Sequence, residues 1–293
     1  MPSARSVCAE YGPKLLVGAI MMTYAAGAAL AQSDEAAAPA AAAGPNTGKI
    51  HLEMGASVVT EYWFRGIGQE NEGLILQPYA TVGVDLLEND DFTLGGFVGT
   101  WNSIHDSTPG DAWFESDFTV GLSAGLSDNL TLDVAYVNLY NPAGGDSFAE
   151  EVDLVLSYDD TELAQKFSIP LGDGEDPPTL GLPFPLQPHV AMAFEIDGGS
   201  DAGENKGIYL ELGIEPQFSL VESESYPVTL STPMTVGLSL DDYYENAQGE
   251  DDTFGYFDAG LVLSMPLDFV PADYGQWEAS LGVHAIFLGD TAQ

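Results

Sequence analysis

Arg65 and a series of carboxylates at alternating positions carry most of the chemical potential of this sequence. Glu115 and Asp117, and again Glu151 and Asp153, are two residues apart, which puts both members of each pair on one face of an extended chain. The same parity argument gathers Glu53, Glu61, Asp133, Glu195, Glu211, Glu215, Asp258 and Glu278 onto the polar faces of their segments. If these acids line one enclosed space, their field concentrates cations and repels anions. A solvated sheet face on an acidic soluble protein would show the same parity. Arg65 shares the face of Glu53 and Glu61. Four residues of strand span roughly 13 Å, so a bridge along the strand to Glu61 is strained, and a carboxylate on another strand is the expected partner. Two roles stay open for Arg65: the anchor of a charge network at a rim, ahead of a turn at Gly66, or a constriction residue shaping ion passage.

Other chemistry is poorly represented. His51, His105, His189 and His284 are scattered and lack zinc-ligand spacing. The one G-x-S-x-G run, Gly121-Leu122-Ser123-Ala124-Gly125, falls inside the alternating Phe114–Leu126 segment and not at a strand-to-helix turn, so it is not read as a nucleophile elbow, and a triad assembled from distant positions is not visible in a sequence. The reading is therefore not an enzyme, with no catalytic, metal or cofactor-binding residues. Acidic loops at Asp173–Asp176, Asp197–Glu204 and Asp241–Asp252 offer oxygen ligands, but none follows the EF-hand pattern. They read as solvated loops, with Ca²⁺ binding left open.

The elements that must position these residues are strands. From Lys49 onward, period-two alternation recurs between Gly, Asp, Asn and Pro clusters. In Ile208–Phe218, Ile208, Leu210, Leu212, Ile214 and Phe218 point one way, and Tyr209, Glu211, Gly213, Glu215 and Gln217 the other. Phe114–Leu126 repeats the pattern, with Phe114, Phe118, Val120 and Leu122 on the apolar side. Ile50–Phe64 does so with His51, Glu53, Ser57 and Glu61 on the polar side, continuing to Arg65. Segments 74–86, 91–102, 129–140, 149–158, 187–197, 228–240, 255–266 and 276–288 complete eleven; Glu162–Pro170 is a poorer twelfth. These are longer than the usual strand of about 5–6 residues and suit a tilted membrane crossing of about 9–11. Short turns at 88–90, 127–129 and 159–161 alternate with longer loops at 66–73, 103–112 and 141–148, the habit of outer-membrane barrels. Tyr62, Phe64, Phe114, Tyr140, Tyr158 and Trp277 fall near segment ends, where interfacial girdles place aromatics.

The N-terminus bears on the compartment. Arg5 and Lys14 precede an apolar stretch, Leu15–Ala31, that closes in Ala29-Leu30-Ala31. This is a signal-peptide pattern, and residues 1–31 are expected to be removed. Residues 32–48 read as a flexible Ala/Pro-rich lead-in, and 49–293 as one domain. The single cysteine, Cys8, falls in the leader. Loss of Arg5, Lys14 and Glu10 leaves four of 6 basic and 45 of 46 acidic residues. Such a balance excludes nucleic-acid binding through phosphate neutralisation.

Ala56-Ser57-Val58-Val59-Thr60-Glu61-Tyr62-Trp63-Phe64-Arg65-Gly66-Ile67-Gly68-Gln69 resembles the opening signature of the TorF-type porin family, whose first strand ends in an S-D-Y-x-F-R-G-x-S-Q-like run. Gly99-Thr100-Trp101, Glu150–Leu154 and Asn205–Leu212 continue the likeness, which covers about 50 to 288 unevenly. Thr60, Glu61 and Gly68 depart from the pattern, and 160–186 looks inserted. The resemblance implies an outer-membrane barrel of about twelve strands and a pore, without a defined substrate.

The combined expectation is an all-β, antiparallel, up-and-down transmembrane β-barrel of about 12 strands. It would sit in the outer membrane as a monomer, among lipids, and pass small solutes or cations. The alternatives are a narrow structural or adhesive barrel without an open pore, and a secreted soluble acidic β protein.

Overall fold

The computed structural model describes residues 14–17, 46, 48–89, 92–106, 112–166, 169–170, 179–180, 184–200, 205–223, 226–245 and 249–290. Nearly all of the leader, the lead-in and the Asp173–Asp176 loop lie outside these residues, as do parts of the 197–204 and 241–252 loops.

In chain order the strands are β1 (Lys14–Val17), β2 (Ile50–Val59), β3 (Tyr62–Phe64), β4 (Ile67–Glu70), β5 (Ile75–Asn89), β6 (Phe92–His105), β7 (Trp113–Ser127), β8 (Leu130–Asn141) and β9 (Asp146–Tyr158). A short helix, α1 (Thr161–Lys166), precedes β10 (Ile169–Pro170), β11 (Thr179–Leu180), β12 (His189–Gly198), β13 (Ile208–Ile214) and β14 (Gln217–Val221). The remainder are β15 (Val228–Ser231), β16 (Met234–Asp241), β17 (Phe254–Pro266) and β18 (Glu278–Leu288).

Fourteen of these form one antiparallel sheet. Its path runs β2-β5-β6-β7-β8-β9-β12-β13-β16-β17-β18-β1, with β14 and β15 attached beside β17. Consecutive strands pair with their sequence neighbours, which is the up-and-down connectivity expected. The ladder is open among the described residues: β2 pairs only with β5, and β18 pairs with β17 and β1. A closed ladder of about twelve strands is therefore corrected to an open all-β sheet. If each of the β13/β14 and β15/β16 segments is counted as one strand, eleven long strands lie between β2 and β18. An odd count makes β2 and β18 run parallel, so they cannot continue the antiparallel ladder with each other.

Four local readings also change. Ile50–Phe64 is not one strand: β2 stops at Val59, opposite Ile75 on β5. The 208–218 and 228–240 segments each break at a proline, Pro216 and Pro233, where the missing N–H interrupts the ladder. Glu162–Pro170 begins as α1 rather than as a strand. Its run Thr-Glu-Leu-Ala-Gln-Lys is made mostly of good helix formers, with Glu162 in the first turn. Phe114 leaves the face of Phe118, because the β6–β7 register shifts between Ser103 and Ile104. It stacks on His105, ring centroids 4.4 Å apart.

The burial pattern is inverted relative to a water-soluble sheet. One face carries Ser57, Gln77, Ser103, His105, Glu115, Asp117, Ser123, Asp133, Glu151, Asp153, Glu195 and His284, all buried. The other carries Ile50, Leu52, Met54, Val82, Val98, Val120, Leu122, Val134, Leu156, Leu212, Leu261 and Leu281, all exposed. Glu115 is 1% and Glu151 0% exposed, against 50% for Leu122 and 66% for Leu281. The polar face is concave, since single residues inside it touch strands far apart in the ladder.

Candidate functional site

The buried face is organised around a hairpin that leaves the sheet. After Val59 the chain turns inward, forms β3 and β4 as a two-stranded sheet of its own, and returns to pair Ile75 with Val59. Phe64 pairs with Ile67, so Arg65 and Gly66 make a two-residue turn. Both have positive φ, 48° and 81°, the backbone of a type I′ hairpin. Glycine at 66 is required twice over. It takes the left-handed backbone without strain, and a Cβ there would lie 2.7 Å from the Tyr256 ring. Arg65 has no such freedom, and a non-glycine residue in this region costs about 1–3 kcal/mol that its surroundings must hold.

Those surroundings come from strands across the interior. Arg65 Nη1 donates to Glu151 Oε1 and to the Tyr243 hydroxyl, each at 2.8 Å, and Nη2 donates to Asp153 Oδ2 at 3.4 Å. The guanidinium lies over the rings of Phe64 at 4.8 Å and Tyr209 at 4.7 Å. Tyr244 donates its hydroxyl to the Arg65 carbonyl at 2.8 Å. At the start of the hairpin, Tyr62 donates to Glu115 Oε2 at 2.8 Å. One hairpin thus touches β7, β9, β13, the loop after β16, and β17. A sheet can present those strands to one residue cluster only by rolling round it. The Arg65 side chain is 8% exposed and Asp153 4%. Burying an arginine is costly unless its charge and donors are met; here two carboxylates and a hydroxyl meet them.

A shell of polar groups continues outward. Glu151 Oε1 also accepts the Ser200 hydroxyl at 2.8 Å. Glu195 accepts the backbone N–H groups of Ser200 and Gly207, each at 2.6 Å. Glu211 accepts the Tyr209 hydroxyl at 2.6 Å and the Tyr256 hydroxyl at 3.2 Å, and lies 3.1 Å from His189 Nε2. Asp258 Oδ2 lies 2.7 Å from His284 Nδ1. Asp117 sits beside Glu115 on the buried face of β7.

The remaining sequence candidates stand apart from Arg65. Glu61 accepts the Trp63 indole N–H at 2.9 Å. Glu53 accepts the Tyr79 hydroxyl at 3.4 Å, six residues down β2 from the hairpin end. Asp133 faces Ser123, its register partner, and is likewise toward the opposite end. Glu215 follows β13 at that end. Glu278 has the parity of His284 but lies exposed at the first residue of β18. No group of three or more His, Cys, Asp or Glu among the described residues is arranged to hold a metal ion. No helix there is long and apolar enough to cross a membrane, which says nothing of a β-barrel.

The tyrosines carry the part that sequence reasoning missed. Tyr209, Tyr243 and Tyr244 are among the most deeply buried side chains, and with Tyr256 they wall the Arg65 pocket. Tyr243-Tyr244 sits inside an acid-rich loop, where the surrounding Asp and Glu suggested solvent. Two adjacent aromatics in such a loop were the available signal. Tyr62 and Phe64 are interior core residues, not members of a girdle.

Outside the strands, the Asp159-Asp160-Thr161 turn is a second polar knot. Asp160 is buried and accepts the N–H groups of Leu186 and Gln187, each at 2.9 Å. Partial burial acts to raise the Asp159 carboxyl, but hydrogen bonds from Thr161 and Gln187 outweigh it and hold the group below the usual aspartate range.

Residues 40–168 match the model of a family described as a bacterial protein of unknown function (Gcw_chp). The match takes in β2, the hairpin and the sheet through β9, less than half of the chain. It replaces the resemblance to the TorF-type porin family: the segment bearing that signature belongs to the matched region, and the description assigns it no function. No curated protein matches the sequence.

Proposed function

We propose that this chain is an outer-membrane β-barrel that lets small solutes or ions through an acid-lined interior, with a preference for cations. The observation that supports this most directly is the inverted burial. Soluble proteins rarely leave large contiguous apolar areas in water. Here the exposed Ile, Leu, Val and Phe residues alternate strand by strand with buried Glu, Asp, His and Ser. That is the arrangement lipid outside and polar groups inside would select. The leader pattern at 1–31 agrees with export; removal of the leader would take β1 from the edge of β18, and the seam between β2 and β18 would then have to be closed in the membrane, since a barrel leaves no free edge there.

Selectivity follows from the charge of the interior. Glu115, Asp117, Glu151, Asp153 and Glu195 are buried on this face, joined by the partly buried Glu211 and Asp258, and Arg65 is the one arginine among the described residues. The surplus of carboxylates attracts cations. The protein, reconstituted in planar bilayers under a KCl gradient, should give a reversal potential of cation-preferring sign. A reversal potential of the opposite sign rejects cation preference. Recovery of the exported protein from the soluble fraction, without heat-modifiable migration on gels, rejects the barrel.

A further inference from the structure

We propose that the 62–70 hairpin is a movable plug of this interior and that Arg65 is its latch, an inference that rests on the reading of the chain as a channel. The wall does not need the hairpin. Val59 pairs directly with Ile75, so residues 60–74 form an excursion whose two ends are already joined by the β2–β5 ladder. The hairpin makes no ladder with the wall, since β3 and β4 pair only with each other. Side-chain contacts hold it, among them Tyr62 on Glu115, Arg65 on Glu151, Asp153 and Tyr243, Tyr244 on the Arg65 carbonyl, Glu70 3.8 Å from His105, and the packing of Trp63, Phe64 and Ile67. The return limb, Asn71–Leu74, is exposed, and Gly73 has φ 77°, a conformation that lets the limb bend sharply.

The latch has a chemical logic. Glu151 and Asp153 lie where a permeating cation would be attracted, and Arg65 occupies them as a cation tethered to the chain. Glu151 Oε2 is buried with no hydrogen-bond partner among the described residues. Glu151 therefore retains capacity for another cation. A free cation and Arg65 compete for the same oxygens. Release of Arg65 removes the charged tie at the hairpin tip and leaves Tyr62, the contact of Glu70 with His105 and the packing of Trp63, Phe64 and Ile67 to be overcome on withdrawal. Arg65 is a positioning residue in this scheme: it holds the plug and does not itself transfer anything.

The test uses the exported chain, refolded and inserted into planar bilayers, with heat-modifiable migration as the check that each variant has folded. In the first variant, residues 60–74 are replaced by Asn-Gly, which closes the Val59–Ile75 pair with a two-residue turn. In the second, Arg65→Gln is combined with Glu151→Gln and Asp153→Asn, which removes both ion pairs of Arg65 without stranding either carboxylate and so keeps a folded alternative to the deletion. The unaltered chain should show small, infrequent openings. The deletion should show a steady and several-fold larger conductance. The second variant should raise open probability about tenfold, the weight of one charged hydrogen bond. Equal, non-zero conductance in all three folded proteins overturns the plug and leaves the channel. No conductance from any of them, the deletion included, overturns the channel reading and the plug with it.

Discussion

At the scale of single residues, Arg65 and Gly66 concentrate the physics of the site. A two-residue turn with both φ values positive usually draws on Asn or Gly. Here arginine takes the first position and is held by contacts to Glu151, Asp153, Tyr209, Tyr243 and Tyr244. Gly66→Ala should cost about 1–3 kcal/mol through its backbone alone, read as a lower conversion temperature of the heat-modifiable form. Because the new Cβ also strikes the Tyr256 ring, Gly66→Ala combined with Tyr256→Ala should lose less than the sum of the two single variants. Strict additivity would mean the ring contact is not the problem. The sequence made Arg65 conspicuous and indicated a carboxylate on another strand. It did not show which one, because Glu151 is five ladder steps from β2 and meets Arg65 only across the interior.

Among the elements, α1 and the proline breaks show where strand periodicity misleads. Apolar spacing in 162–170 can be counted as a strand, yet the helix formers of 161–166 follow an aspartate turn that is tied to Leu186 and Gln187. Asp160→Ala strands those two N–H groups and should cost about 1–3 kcal/mol in urea unfolding. Asp128→Ala, in an exposed turn, should stay within about 0.5 kcal/mol. Asp159 adds a pH signature. Its folded-state carboxyl is held below the ordinary aspartate range, so its contribution is present above that range and is lost as pH falls through the folded value. Asp159→Asn should flatten that part of the acid limb of the stability curve; an unchanged acid limb would show that the turn does not favour the ionised form.

For the whole molecule, the decisive contrast is between the two faces of the sheet. Leu122→Arg and Leu281→Arg place a charge on the exposed apolar face. In a bilayer an arginine near the midplane costs about 2–4 kcal/mol, so each should lower the yield of inserted protein. If the face met water, the same changes would be neutral or would improve solubility, and that outcome would count against the barrel. The open seam is also a property of the whole: eleven long strands leave β2 and β18 parallel, a consequence no single segment reveals.

Period-two alternation, glycine- and proline-marked turns and the surplus of acids were properties of the sequence by itself. They made the chain an antiparallel all-β protein with one polar and one apolar face, because strand geometry sends alternate side chains to opposite sides. Local pattern carries no information about which face is enclosed or what crosses the space inside. Those are decided by contacts between residues far apart in the chain. Only the tertiary structure put the acids on the buried side, turned residues 62–70 away from the wall, and brought Arg65 to Glu151 among tyrosines from β13, β17 and a loop that looked merely acidic.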